Sequence, residues 1–137
     1  MSFLWSLGSF IIAIAVLVSV HEYGHFWAAR KCGIKVHRFS IGFGKVIWKR
    51  IDKYGTEFAV SMIPLGGYVK MLDGRNEVVP AEQKSQAFDS KSVLQRSFVI
   101  IAGPLANFIF AIFAYWVIYL YGMPTVKPVI ESITPSS

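Results

Sequence analysis

Apolar residues dominate two long runs: residues 3–20 carry no charged side chain, and neither do residues 97–121. Each is long enough to cross ~30 Å of hydrocarbon as an α-helix, which predicts two transmembrane helices. The first meets no helix breaker from Leu4 to Arg30, and Gly33 follows as a C-terminal cap, so this helix is longer than a bilayer requires. At ~1.5 Å per residue, His21 lies about 25 Å along it from Leu4, within the membrane rather than in open solvent. A cleaved signal peptide fits poorly. The run has no basic start and continues into His21-Glu22-Tyr23-Gly24-His25 instead of a small-residue cleavage site. Before the second run, Phe88-Asp89-Ser90 offers an N-cap. Within that run Gly103-Pro104 predicts a kink and a freed backbone carbonyl that a neighbour must satisfy.

Between the two runs the period changes. Residues 36–41, 45–51, 57–62 and 68–72 are short β-branched or aromatic stretches. They are separated by Gly42 and Gly44, by Asp52-Lys53-Tyr54-Gly55 and by residues 64–67. About four strands in hairpins are predicted. The region is too apolar for a solvated loop, so the sheet is expected to lean on or dip into the membrane beside the first helix.

Composition agrees, with 54% hydrophobic and 15% aromatic residues, above what soluble domains carry. Lys and Arg outnumber Asp and Glu by 14 to 8, and all the basic residues except Lys127 lie between Arg30 and Arg96. By the positive-inside rule residues 31–96 are cytoplasmic, and the N-terminus and the tail after Tyr121 face outward. The charge suits anionic headgroups. With no accompanying motif, it gives no case for a nucleic-acid partner. Cys32 stands alone, so no internal disulfide is possible and a reduced, inert thiol is expected.

The chemistry sits at the inner end of the first helix. His21 and His25 are one helical turn apart on one face, close enough for both imidazoles to hold a single Zn²⁺. Glu22 lies beside the first of them, placed to take the proton of an attacking water and pass it to the leaving amine. This is the H-E-x-x-H arrangement of metalloproteases. The alternative, three ordinary helix residues, is costly in an apolar helix unless they face a cavity, a partner or a metal. Gly24, between the histidines, suits close approach of another helix or of a substrate strand. Asn107 is a polar group within the second apolar helix and needs a partner, either at the active site, in substrate, or on a neighbouring helix. His37 is expected to be an exposed strand residue.

Three motifs together carry a resemblance: His21-Glu22-Tyr23-Gly24-His25-Phe26, the stretch Pro64-Leu65-Gly66-Gly67-Tyr68-Val69-Lys70-Met71, and Gly103-Pro104-Leu105-Ala106-Asn107. On these the chain resembles the site-2 proteases over essentially its whole length. The resemblance implies a bacterial inner-membrane enzyme with a membrane-embedded zinc site and a hairpin that re-enters the membrane to contact substrate; Gly66 and Gly67, which permit close approach of a backbone, are the candidate contacts. It further implies cleavage of single-pass membrane proteins such as a pre-trimmed anti-sigma factor. It also implies a third zinc ligand, an Asp in a Leu-Asp-Gly motif on a later helix, and periplasmic PDZ domains before that helix. Neither is present here, so the chain reads as an N-terminal fragment. Leu72-Asp73-Gly74 imitates the missing motif but follows a strand in a basic loop, where a turn role suits Asp73 better.

The expected fold class is a mainly α membrane protein. Its parts are a first transmembrane helix with the zinc motif (1–32), a membrane-associated β-hairpin region (33–75), a polar linker (76–90), a second transmembrane helix (91–122) and the start of a truncated PDZ domain (123–137). Two rival readings are a membrane metal transporter and an inactive membrane-anchored interaction module. The transporter fares worse because ionisable residues at several depths are wanted along a pathway, and the second run offers only Asn107.

Overall fold

A computed structural model describes residues 2–124; the expected start of a PDZ domain lies almost wholly outside them. Helix α1 spans Phe3–Lys31, opened by the Ser2 hydroxyl, which accepts from the backbone N–H of Trp5. It ends where Gly33 takes φ 71°, a left-handed conformation that suits glycine just beyond the C-cap. Helix α2 spans Val93–Tyr121. Its N-cap is Ser92, in a capping box with Gln95, rather than the expected group at residues 88–90. Residues Phe88–Ser90 instead form a short 3₁₀ turn, because Phe88 N–H is drawn back to the carbonyl of Leu72 at 2.7 Å. Both helices are long and apolar enough to cross a membrane. Most of their large apolar side chains are exposed, as a hydrocarbon surround allows. Pro104 lies inside α2, which continues through it.

Four strands were expected; the chain forms two continuous ones, β1 (Val36–Ile51) and β2 (Glu57–Met71). Their pairing explains the difference. Phe39 pairs with both Val69 and Phe58, and Ile41 with both Gly67 and Val60. The second half of β1 pairs with the first half of β2, as in Trp48 with Val60 and Arg50 with Phe58. Each strand therefore bends, and the four apolar runs lie side by side within two strands. Gly42 and Gly44, at φ 85° and 84°, let β1 turn without ending. The expected break at residues 64–67 is part of β2.

The sheet is fixed to α1 by aromatic packing. Phe26 meets Phe39 and Phe58, each at a ring-centroid separation of 5.4 Å and near edge-to-face. Arg30 stacks on Phe26 and on Tyr54 and hydrogen-bonds Asp52 and Thr56, tying the hairpin turn to the helix end. The buried Thr56 hydroxyl donates to the Val36 carbonyl at 2.8 Å. The stretch read as a linker is not free: Ala81–Gln86 is a 3₁₀ helix, Ala87 is buried, and the Gln86 carbonyl accepts from Lys35 at 2.9 Å. His37, expected to be an exposed strand residue, lies in β1 but is only partly exposed, 3.1 Å from the Glu77 carboxylate.

Candidate metal centre

Helices α1 and α2 approach closely where Gly24 faces the backbone carbonyl of Ala102 and the side chain of Ala106; a Cβ at Gly24 would collide with both. This contact sets α2 against the two histidines. His25 Nδ1 lies 2.8 Å from the Val99 carbonyl oxygen. A carbonyl only accepts, so Nδ1 carries the proton and Nε2 presents its lone pair. That Nε2 lies 3.1 Å from Nε2 of His21. Two imidazole nitrogens bound to one tetrahedral zinc at 2.0–2.1 Å sit about 3.3 Å apart, so the pair fits two corners of such a site. Among the described residues no group of three or more His, Cys, Asp or Glu side chains is placed to hold a metal.

The face of α2 turned toward the histidines repeats at four-residue steps: Val99, Gly103, Asn107. Val99 supplies the carbonyl for His25. Gly103 leaves the volume that the His25 ring fills, since a Cβ there would overlap the imidazole at Nε2. Asn107 reaches His21, its amide end 3.5 Å from Nδ1. The roles of Val99 and Gly103 at His25 were missed from sequence. Their signal was the i, i+4, i+8 spacing that matches His21 and His25 on the opposing helix.

Glu22 and His25 open on a cavity of about 540 Å³, also lined by Val69, Lys70, Asp73 and Val99. The sheet reaches Glu22 through Gly67: a Cβ there would lie 2.7 Å from the Ser40 carbonyl, 3.3 Å from Val18 and 3.4 Å from Glu22 Cγ. Gly66 differs. The space beside it is filled by the Phe43 ring, so its lack of a side chain serves internal packing. Asp73 shares the cavity but is engaged: its carboxylate accepts from Arg75 at 2.6 Å and 3.0 Å, and its carbonyl accepts from Asn76 and Glu77 in a turn. The hydrogen bond from Arg75 holds this carboxyl below the usual carboxylate range.

Residues 9–136 match the peptidase family M50. Over all 137 residues the chain is 99% identical to the regulator of sigma E protease of Haemophilus influenzae, covering 31% of that protein. It is 76% identical to a Pasteurella multocida protein that bears a zinc metalloprotease name, covering 31% of it. It is 60% identical to the regulator of sigma-E protease of Escherichia coli K12, covering 30% of it. The chain thus spans about a third of the length of these relatives. With the match running through α1, the sheet and α2, the chain belongs to peptidase family M50.

Proposed function

We propose that this chain supplies two metal ligands and the general base of a zinc-dependent intramembrane endopeptidase. The observation that carries the reading is the 3.1 Å approach of the His21 and His25 Nε2 atoms within an apolar helix, with His25 held in the lone-pair tautomer by Val99. His21 and His25 would hold the zinc, and the third ligand comes from the part of the protein beyond this chain. When bound, zinc supplies Lewis-acid polarisation of the attacking water and of the scissile carbonyl. Glu22 takes the water's proton and delivers it to the leaving amine. Asp73, paired with Arg75, stays in its turn.

The substrate is a single-pass membrane protein of the anti-sigma-factor type, in keeping with the names of the relatives. A peptide bond inside a transmembrane helix is shielded by its own turns. The substrate must therefore unwind, and it pairs as an added strand along the 67–71 stretch of β2, beside Glu22. The enzyme sits in the bacterial inner membrane, with residues 31–96 cytoplasmic and both flanks periplasmic, as the clustering of basic residues supports. In the full-length protein, Glu22→Gln is expected to retain zinc and lose cleavage by 10²-fold or more, on the order of a general base's contribution. His21→Ala and His25→Ala are expected to lose both. Near-normal cleavage by Glu22→Gln, or full zinc occupancy in either histidine variant, overturns the reading.

A further inference from the structure

We infer that Asn107 is a positioning residue for His21, its amide oxygen accepting the Nδ1 proton so that Nε2 is held as a lone-pair donor toward the metal. The inference rests on the zinc-site reading above and deepens it. Two observations converge. The Asn107 amide end lies 3.5 Å from His21 Nδ1, with nitrogen as the nearer atom. Its oxygen, Oδ1, is buried without a hydrogen-bond partner.

The two ends of an amide exchange places by a half-turn about one bond, and the hydrogen-bond network decides between them. With nitrogen facing Nδ1, the imidazole must accept there. Its proton then sits on Nε2, pointing at His25 Nε2 across 3.1 Å, and His21 cannot ligate a cation. With oxygen facing Nδ1, the orphaned acceptor gains a donor, and the two Nε2 lone pairs converge on the same gap. The half-turn exchanges which end of the amide meets the imidazole, and only the oxygen-facing arrangement gives His21 the tautomer that His25 already receives from Val99. The two supports are two turns apart on α2, matching ligands one turn apart on α1. Outer contacts of this kind set ring orientation and ligand basicity in histidine metal sites.

The test uses the full-length protein purified in detergent, comparing wild type with Asn107→Leu, Asn107→Ala and Asn107→Asp. The first two remove the acceptor and the third keeps it. Zinc affinity is measured by chelator competition, and the visible spectrum of the cobalt-substituted protein reports ligand geometry. Expected are a 10–100-fold loss of zinc affinity for Leu and Ala, an altered cobalt spectrum, and near-wild-type values for Asp. If Ala binds zinc as tightly as Asp with an unchanged cobalt spectrum, while only KM or turnover changes, Asn107 contacts substrate and the inference is wrong. A wild-type protein that holds no zinc, or a His25→Ala variant that still holds it, brings down the underlying zinc-site reading instead.

Discussion

His25 Nδ1 is bonded to the Val99 carbonyl at 2.8 Å across 74 positions of sequence, and Gly103, one turn further along α2, leaves the space that the same ring occupies. The ring is held at its Nδ1 edge by the backbone of α2 and admitted by the absence of a side chain at Gly103. Adding a single methyl there forces the imidazole away from His21 or parts the helices. Gly103→Ala in the full-length protein is therefore expected to cost about 1–3 kcal/mol of overpacking strain and to lower zinc content together with cleavage. Metal analysis settles it: full zinc occupancy in Gly103→Ala contradicts a tightly fitted ring.

Gly67 makes a different prediction because it lies against Glu22, the proposed base, rather than against a proposed metal ligand. A side chain there collides with the Ser40 carbonyl of the paired strand and crowds Val18 on α1, so β2 must distort beside Glu22. Gly67→Val should leave zinc bound while slowing cleavage on the order of 10²-fold, the usual effect of an ångström's misplacement at a reacting group. Gly66→Ala collides instead with the Phe43 ring and should destabilise the bend in β1. The contrast is read by zinc content against turnover, and unchanged turnover in Gly67→Val would remove the strand from the site.

Sequence pattern revealed the two helices and the approach of His21 to His25 because both rest on local rules, namely uninterrupted apolarity and one-turn spacing. The strand count failed at Gly42 and Gly44, where glycine reads as a break but here bends a strand that keeps its pairing. The N-cap was placed too early because Asp89 and Ser90 are as good cap formers as Ser92. What decides between them is the tertiary bond from Phe88 to Leu72. Val99 was invisible for another reason: it acts through its carbonyl, and no side-chain identity announces that.

Asp73 gives the loop after β2 a dependence on pH. Its carboxyl is held below the ordinary value of 3.8, first by the hydrogen bond from Arg75. A depressed carboxylate contributes stability that is fully present above its unfolded value and disappears as pH falls through the folded one. The contribution is thus constant near neutrality and lost only in acid, below about pH 4. Hydrogen exchange of residues 73–77 should speed up in that acid range relative to the helices, and Asp73→Asn should abolish the difference. An onset near neutral pH would assign the loop's pH response to another group.

The same engagement of Asp73 predicts how the 137-residue chain behaves when expressed alone. A catalytic zinc normally has three protein ligands and one open position. Two imidazoles should therefore bind the metal weakly and leave the attacking water poorly placed. Reaching the gap between His21 and His25 would require Asp73 to give up Arg75 and its turn. The isolated chain should accordingly insert into membranes, bind zinc more weakly than the full-length protein and show no cleavage. In the full-length protein, Asp73→Ala should keep most of its activity, because the carboxylate it removes belongs to the turn. Detectable cleavage by the isolated chain, lost on Asp73→Ala, would mean that Asp73 completes the site within these residues.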